Sequence, residues 1–481
     1  MKAGFETVNH GSTLDHPMTM IQTHEPWNIS SNVRPCLNLN KRNELSEWVE
    51  QITKQLIDDD DDENDNEANT FPTSNDNNNN IIKYHHVKYD HDHCLSLMTL
   101  LFESAVAISV DNFVEARRLL LELSETASPY APSCAERVVA YFAQAMSTRV
   151  INTSLGVPYH DVTKNLYANY RNYQNTLLRN SFQAFNDVAP FLKFAHFTSN
   201  QAILEAFHGQ PFVHVIDLDF LHVGLFQWPA LLHALATRPE GPPSHVRLTA
   251  LAASSDHLSD AAKNLSGFAK RLGISFEFNP VGSDTDFSDL RVRIRRVVDE
   301  REALAVHWLR HHLYEANGSE WKTMRLVEEL RPRILTLVEQ DMSWHGGSFL
   351  DRFVGSLHYY STLSDALGAC LGTDDLKRNE VESGVVYREI SNVLGVAGRS
   401  GSGEEIKIGS WRREMAARGC LAQVAMSANA AAQAQLIVNM FGGGGGGYRV
   451  VQGDGTLRLG WKETSLYTVS AWTSCTYNVF R

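Results

Sequence analysis

The chain has 481 residues, a hydrophobic share of 43% and a net charge of −13 at neutral pH. This length and hydrophobic share allow one large domain, or several average ones, with a sizeable core. The acidic balance argues against an autonomous nucleic-acid binder, because such proteins gain affinity by neutralising phosphates with clustered Lys and Arg. The six cysteines are scattered without a C-x-x-C pair, which argues against a disulfide scaffold or a structural zinc site.

Residues 1–88 are predicted to form a disordered, acidic and Asn-rich tail. Acidic residues dominate positions 58–67 and asparagines dominate 75–80, so little apolar surface is available to offset the entropy of ordering. Within the tail, Trp48, Ile52 and Leu56 recur at helical spacing and predict a short amphipathic helix. The sequence shows neither a signal peptide nor an apolar run of membrane-spanning length, so we expect a cytosolic or nuclear protein.

Three amphipathic helices are predicted between residues 95 and 150. Leu97, Leu100 and Leu101 belong to the first of them and also form the string L-x-x-L-L, which docks helices into coactivator grooves. Leucine-rich helices contain such a string by chance, and the same leucines suit the buried face of a helix. Packing in the core is therefore the favoured interpretation, with docking as the alternative.

The segment that begins at Phe212 is the most informative part of the sequence. Its residues Val213, His214, Val215, Ile216 and Asp217 predict a buried strand that ends where a doubly wound α/β domain places its ligand crevice. The stretch 218–224 then offers one glycine, with bulky residues where the phosphate loop G-x-G-x-x-G needs small ones. We therefore expect the frame of a cofactor-binding unit without its phosphate loop, no cofactor and no catalysis.

Several more strands alternate with helices after this segment. Apolar, β-branched runs separated by helical patterns predict an α/β fold with a mostly parallel, Rossmann-like sheet and right-handed crossovers. The predicted strands cover residues 246–251, 274–278, 303–308 and 334–338, and a strand from 464 to 471 lies near the C-terminus.

A cluster of arginines lies between two of these strands. Arg291, Arg293, Arg295 and Arg296 are candidate phosphate contacts if the protein binds DNA directly through a dimer groove. Their alternation with apolar residues equally suits the solvated side of a helix. Both interpretations stay open on the sequence alone.

Separate blocks of the chain, in the same order, resemble those of the GRAS family of plant-specific transcriptional regulators, in its SCARECROW-like branch. The strand at 213–217 followed by Gln227-Trp228-Pro229 resembles the family's VHIID motif. The PFYRE motif is matched by Pro332, Tyr359, Tyr360, Arg388 and Glu389, and the SAW motif by Trp411, Trp461, Ser470, Ala471 and Trp472.

The resemblance implies a GRAS domain over residues 89–475. Its expected fold is a Rossmann-like core with a methyltransferase-like frame that lacks the cofactor loop, and an N-terminal helical cap. The regions implied are a first leucine-rich region at about 92–155, a VHIID region at about 170–240, a second leucine-rich region at about 255–287, a PFYRE region at about 296–393 and a SAW region at about 396–472.

The resemblance also implies a nuclear, non-enzymatic regulator of transcription, active in development. Its implied partners are other GRAS proteins, such as SHORT-ROOT-like ones in homo- or heterodimers, and INDETERMINATE-type zinc-finger factors that supply DNA recognition. One alternative is a transcription factor that binds DNA directly through a dimer groove. Another is a small-molecule-binding or methyltransferase-like enzyme that uses the crevice after Asp217.

The aromatic residues of the SAW region allow two interpretations. Large aromatics at the ends of antiparallel strands are usually buried, so Trp461 and Trp472 are predicted to lie in the core. For Trp411, burial and partner contact are equally favoured. Arg412 and Arg413 are expected at an exposed helix start, where a change of charge costs little stability.

Overall fold

The structure is a computed structural model that describes residues 76–155, 168–218, 220, 224–252, 255–282, 301–310, 319–342, 348–372, 375–395, 410–441 and 446–475. Helices and strands alternate over most of residues 212–340, whereas the described parts of 76–206 and 349–418 contain helices without strands. The strands are β1 Phe212–Asp217, β2 His245–Ala252, β3 Phe276–Gly282, β4 Ala303–Leu309, β5 Ile334–Gln340, β6 Leu421–Val424, β7 Tyr448–Gly453, β8 Thr456–Trp461 and β9 Thr464–Ser474.

The described helices fall into an N-terminal group, a group that alternates with β1 to β5, a run between β5 and β6, and one helix after β6. A five-residue π-helical segment, Glu382–Val386, joins two of the later helices. The helices are α1 Asp76–Ser109, α2 Phe113–Thr126, α3 Cys134–Leu155, α4 Ala168–Val188, α5 Phe191–Ala206, α6 Gly224–Ala236, α7 Ser255–Arg271, α8 Ser319–Leu330, α9 Phe349–Cys370, α10 Leu376–Val381, α11 Tyr387–Gly395, α12 Trp411–Arg418 and α13 Ala428–Met440.

One sheet connects all the strands, in the order β3-β2-β1-β4-β5-β9-β8-β7, with β6 pairing beside β9. The first five strands in this order run parallel to their neighbours. Strand β9 returns antiparallel to β5, with Leu335 opposite Trp472, and β8, β7 and β6 are added in antiparallel fashion. Strand β1 therefore lies in the interior of the sheet, with a parallel neighbour on each side, and its apolar sequence fits burial on both faces.

The two faces of the sheet have separate apolar cores because side chains alternate along each strand. Val213 and Val215 point into the larger core, which includes residues of α5, α6, α7 and α13. Ile216 points to the opposite face, where α8 and α12 pack. The α/β fold and the parallel arrangement predicted from the sequence are confirmed. Within the described residues, no helix combines the length and apolarity needed to cross a bilayer.

The helical cap consists of α1, α2 and α3, which pack against α9 and α11. A buried ion pair ties the cap to the C-terminal half: Arg137 on α3 donates from Nε to Glu382 Oε2 at 3.1 Å, and both side chains are at most 2% exposed. The π-helical segment that carries Glu382 runs very close to α4. A Cβ atom at Gly384 would collide with the Ser181 hydroxyl, so this contact requires glycine.

The structure bears on two predictions for the N-terminal part: the extent of the disordered tail and the burial of the L-x-x-L-L string. Helix α1 begins at Asp76, inside the segment 1–88 that was predicted to be disordered, because extending a helix costs far less than nucleating one. Residues 1–75 lie outside the described residues. Leu97 and Leu101 are at most 2% exposed and Leu100 is half-buried, so the L-x-x-L-L string packs in the cap core.

Candidate functional site

The carboxyl end of β1 is the position where this fold type places a ligand. There the Trp228 indole Nε1 donates a hydrogen bond to Asp217 Oδ2 at 2.9 Å, and the two side chains are 1% and 2% exposed. The Trp228 ring also meets the His307 ring edge-on, with their centroids 5.6 Å apart. An indole from α6 thus contacts the motif aspartate where a cofactor-binding protein presents backbone amides to phosphate.

The surroundings of Trp228 are a packed polar layer. His307 Nδ1 lies 2.9 Å from the Thr336 hydroxyl of β5. Asn200 of α5 donates to the Gln227 carbonyl at 3.0 Å, and Gln227 Nε2 donates back to Asn200 Oδ1 at 3.2 Å. This reciprocal pair fixes the start of α6 against α5, so the VHIID residues and Gln227-Trp228 act together as a structural unit.

Two buried histidines near this layer are held neutral. Burial lowers the pKa of His307 to about 3, and the same cause lowers the pKa of His196 on α5 to about 3. Each is at most 3% exposed. Histidines with such pKa values carry no charge at physiological pH, so their role is that of compact polar core residues.

These histidines predict a loss of stability in mild acid. A group whose folded pKa lies below its unfolded value binds protons better in the unfolded chain, so stability falls as the pH drops through the unfolded value of about 6.5. Lowering the pH from about 7 to about 5 should reduce the free energy of unfolding by roughly 2 kcal/mol for each histidine. Denaturant unfolding at both pH values measures this loss in the wild type and in His307→Asn. The drop in the free energy of unfolding should be smaller in the variant by about that amount. Equal pH dependences would contradict the burial of His307 as a neutral group.

His214 of the VHIID motif lies on the opposite face of the sheet. Its Nε2 is 2.8 Å from the Thr249 hydroxyl, and its Nδ1 is 3.3 Å from Glu302 Oε2. Arg247 on β2 also reaches Glu302, at 2.9 Å. Burial lowers the pKa of His214, while Glu302 opposes that shift. This cluster joins β1 and β2 to the start of β4.

The PFYRE residues converge on the carboxyl end of β5. Tyr360 on α9 donates its hydroxyl to Glu389 Oε2 at 3.1 Å, and Gln340 Nε2 donates to the same oxygen at 3.0 Å. Gln340 also lies 3.3 Å from the Tyr467 hydroxyl of β9. Burial is the main cause that raises the pKa of Tyr360 well above its usual range, so the phenol stays protonated and can donate. The motif glutamate is therefore held by phenol and amide donors.

The other PFYRE residues lie on or just before the same elements. Tyr359 is 1% exposed and its ring packs edge-on against Tyr360, with centroids 5.1 Å apart. Pro332 is buried just before β5, and its carbonyl accepts from the Ser474 amide at 3.2 Å. Arg388 is half-buried on α11. The hydrogen bonds among Tyr360, Gln340 and Glu389 thus hold α9 and α11 against the sheet, whereas Pro332 lies at the opposite, amino end of β5.

Trp411 and Arg412 of the SAW region are anchored to β5. The Trp411 amide donates to Glu339 Oε1 at 2.6 Å, and its ring, 3% exposed, lies 5.7 Å from the Trp308 ring. Arg412 Nε donates to Glu339 Oε2 at 2.9 Å and Nη2 to Asp341 Oδ1 at 3.3 Å. Of the two interpretations of Trp411, burial and partner contact, burial is therefore correct. The expectation that Arg412 is exposed is wrong, because α12 lies against the sheet at carboxylates on and just after β5.

Arg412 and Arg413 offer a matched pair of variants. Burial raises the pKa of Glu339, and Arg412 opposes that shift. Arg412→Glu would leave the buried Glu339 beside a second carboxylate, so we expect the free energy of unfolding to fall by about 2 kcal/mol. Arg413 is exposed, so Arg413→Glu should change the free energy of unfolding by less than about 0.5 kcal/mol. Thermal and denaturant unfolding would check this, and equal stability of the two variants would refute the anchoring role.

The remaining SAW residues are buried, Trp461 in the larger core and Trp472 in the core on the opposite face of the sheet. Trp472 is 2% exposed and donates from Nε1 to the Ser470 hydroxyl at 3.0 Å. Trp461 is 4% exposed and donates from Nε1 to Asp365 on α9. Ala471 and Ser470 are buried in β9. The prediction that Trp461 and Trp472 lie in the core is confirmed.

Some candidate residues lie outside this description, and others were not found from the sequence. Arg291, Arg293, Arg295 and Arg296 fall outside the described residues. Among those that are described, no group of three His, Cys, Asp or Glu side chains could hold a metal ion.

The Arg137–Glu382 pair was not predicted. An arginine on the buried face of α3 was the signal that could have indicated a buried partner.

The comparisons with known proteins agree with this architecture. A model of the GRAS domain family matches residues 97–473. Protein SCARECROW from Ipomoea nil is 47% identical over 382 residues, which are 79% of this chain and 46% of that protein. Protein SCARECROW from Arabidopsis thaliana is 47% identical over 381 residues, 79% of this chain and 56% of that protein. The chain therefore spans about half the length of these curated relatives.

A shorter relative and a solved structure extend the comparison. Scarecrow-like protein 23 from Arabidopsis thaliana is 41% identical over 385 residues, which cover 79% of this chain and 90% of that protein. The crystal structure of SCL7 from Oryza sativa superposes with a TM-score of 0.61 at 28% identity, over 77% of this chain and 99% of that one. The family match, the plant relatives and the shared fold lead to one conclusion: the chain belongs to the GRAS domain family.

Proposed function

We propose that the protein is a nuclear, non-enzymatic regulator of transcription in plant development. It acts by binding other GRAS proteins, such as SHORT-ROOT-like ones in homo- or heterodimers, and INDETERMINATE-type zinc-finger factors that recognise the DNA. The observation that carries the proposal is the hydrogen bond from Trp228 to Asp217, which engages the carboxylate at the carboxyl end of β1 inside the protein. Membership of the GRAS family supports the regulatory role.

The charge of the chain supports indirect recognition of DNA. A net charge of −13 repels a polyanion overall, whereas proteins that bind DNA alone neutralise phosphates with basic patches. In the described residues, several prominent arginines are engaged internally: Arg137 with Glu382, Arg247 with Glu302, and Arg412 with Glu339. These guanidinium groups support the fold and add little to a phosphate-binding surface.

The outer face of α2 supports binding to another protein. The inner face of this helix packs into the cap, yet Val114 and Leu121 on the other side are 83% and 61% exposed. They lie two helical turns apart and so share one side of the helix. Exposed aliphatic groups on a helix whose opposite side is already buried suit contact with a second GRAS domain.

A gel-shift series at physiological salt tests the DNA part of the proposal. The full chain alone should bind promoter DNA weakly and without sequence preference, and it should supershift the complex of an INDETERMINATE-type zinc finger with its site. A scrambled DNA site provides the control. Nanomolar, sequence-selective binding by the chain alone would favour direct DNA binding, with Arg291, Arg293, Arg295 and Arg296 as the residues to replace next.

Calorimetry tests the non-enzymatic part. S-adenosylmethionine and NAD should give no saturable heat with the full chain, because the Asp217 carboxylate already accepts a hydrogen bond from Trp228 and the sequence after it lacks a glycine-rich phosphate loop. Saturable binding at micromolar concentration that Asp217→Asn abolishes would support the methyltransferase-like alternative instead.

A further inference from the structure

Two cysteines lie opposite each other at the end of a short ladder. Strand β6 pairs antiparallel with β9 in the register Val424–Ala471 to Leu421–Ser474. Cys420 precedes Leu421 and Cys475 follows Ser474, so the two cysteines flank the last pair of the ladder, each one residue past the end of its strand. Both side chains are exposed and both thiols are free. Directly opposite residues of an antiparallel pair have Cβ atoms about 4.5–5.5 Å apart.

The two sulfur atoms also approach the same piece of backbone. Cys420 Sγ lies 3.7 Å from the Arg418 carbonyl oxygen, and Cys475 Sγ lies 3.4 Å from the Gly419 carbonyl oxygen. Gly419 is the left-handed residue that ends α12, with φ of 68°. The side chains therefore converge on one turn. A disulfide needs Cβ atoms about 3.5–4.5 Å apart, a small closure for residues just past the ends of their strands.

The other three cysteines in the described residues are less accessible, and one of them, Cys134, is half-buried. Cys94 is buried, and its sulfur lies 3.4 Å from the Ser133 hydroxyl. Cys370 is half-buried and its thiol donates to the Tyr448 hydroxyl at 3.9 Å. Exposure and a facing thiol are thus combined at Cys420 and Cys475, the two properties that a reversible disulfide requires.

We propose that Cys420 and Cys475 are a redox-sensitive modification site that closes into an intrachain disulfide when peroxide rises. One thiol ionises, its thiolate attacks hydrogen peroxide, and the O–O bond breaks to give a sulfenic acid and hydroxide; the hydroxide takes up the proton that the thiol released and leaves as water. The second thiol attacks the sulfenic sulfur, so that the S–S bond forms and a second water leaves. Two electrons pass from the sulfurs to the peroxide, and a protein dithiol of the thioredoxin type reverses the step by thiol–disulfide exchange.

The disulfide would fix a part of the fold that is otherwise weakly tied. Strand β6 has four residues and pairs with β9 on one side. It directly follows α12, which carries Trp411 and Arg412 against Glu339. The link would join the end of α12 to β9, whose Trp472 shares an apolar core with Trp411. Oxidation would thus stiffen the SAW region, and reduction would release it.

Peptide mapping of the full chain tests the bond. The reduced protein is treated with hydrogen peroxide, remaining thiols are alkylated, and trypsin, which cleaves after Arg418 and Lys462, separates the two cysteines into different peptides. We expect most molecules to yield these peptides linked, with a mass lower by two hydrogen atoms than the separate peptides. Cys420→Ser should abolish the linked species, and Cys370→Ser should leave it unchanged. Independent alkylation of both cysteines after peroxide, or linkage between two chains, would overturn the proposal.

The melting temperature gives a second readout. Closing this loop restricts the unfolded chain, so the oxidised wild type should melt about 2–5 °C above the reduced form. The shift should reverse with a dithiol reductant and be absent in Cys420→Ser. A shift of the same size in Cys420→Ser would assign the effect to other thiols and overturn the role of this pair.

Discussion

Replacing Trp472 with alanine is expected to lower the free energy of unfolding by about 3–5 kcal/mol. The indole is 2% exposed and packs with Leu335, Leu337 and Trp411 between the sheet and α12. Its removal leaves a large cavity in a layer that few side chains can refill. Since that loss is comparable with the whole stability of many domains, the variant should lose partner binding because it unfolds.

Denaturant unfolding with a matched surface variant measures this effect. Met440→Ala removes an apolar side chain of the same C-terminal region that is 75% exposed, and it should change stability by less than about 0.5 kcal/mol. If Trp472→Ala unfolds like the wild type yet no longer binds a GRAS partner, the tryptophan is a contact residue and its assignment to the core is wrong.

Arg137→Met should destabilise the fold by about 3–5 kcal/mol, because it strands Glu382 as a buried carboxylate. Arg378 is the remaining cation, with its Nε 3.9 Å from Glu382 Oε1. Because Arg378 is itself 2% exposed, the matched control replaces all three charges: Arg137→Met, Arg378→Met, Glu382→Leu should recover much of the loss, since apolar residues often replace a buried ion pair or triad without cost. A triple variant at least as unstable as Arg137→Met would mean that packing, not charge, explains the effect.

The same variant predicts a particular pH dependence. Burial raises the pKa of Glu382, and Arg137 opposes that shift, so removing Arg137 should raise it further. A carboxyl whose folded pKa exceeds its unfolded value binds its proton better when folded, so stability is regained as the pH falls towards the unfolded value. The deficit of Arg137→Met relative to the wild type should therefore be smaller at about pH 5 than at about pH 8. An unchanged deficit would contradict a charged Glu382.

The strands of the parallel sheet could be predicted because their residues carry local signals. Apolar, β-branched runs at β1, β4 and β5 indicate strands buried on both faces, and the structure has them there. The helix after β1 was also predictable. The hydrogen bond from Trp228 of this helix to Asp217 was not predictable, because the spacing of residues along the sequence does not show where a side chain points. That hydrogen bond at the carboxyl end of β1 could be found only from the structure.

Long-range polar contacts were beyond the sequence for a physical reason. Arg137 and Glu382 are 245 positions apart, and no local pattern identifies which charges will meet in a core. Arg412 looked like an exposed residue at a helix start, whereas its actual partner Glu339 is 73 positions away. The helix register placed Leu97 and Leu101 correctly in the cap core, because periodicity reports the buried face directly.

The most direct test of the central proposal is affinity purification of the tagged full chain from plant nuclei, followed by mass spectrometry. We expect another GRAS protein and an INDETERMINATE-type zinc finger to be enriched over a tag-only control. Arg413→Glu, which changes the charge of an exposed residue, serves as a folded comparison. Recovery of abundant, folded protein with neither partner enriched would contradict regulation through protein partners.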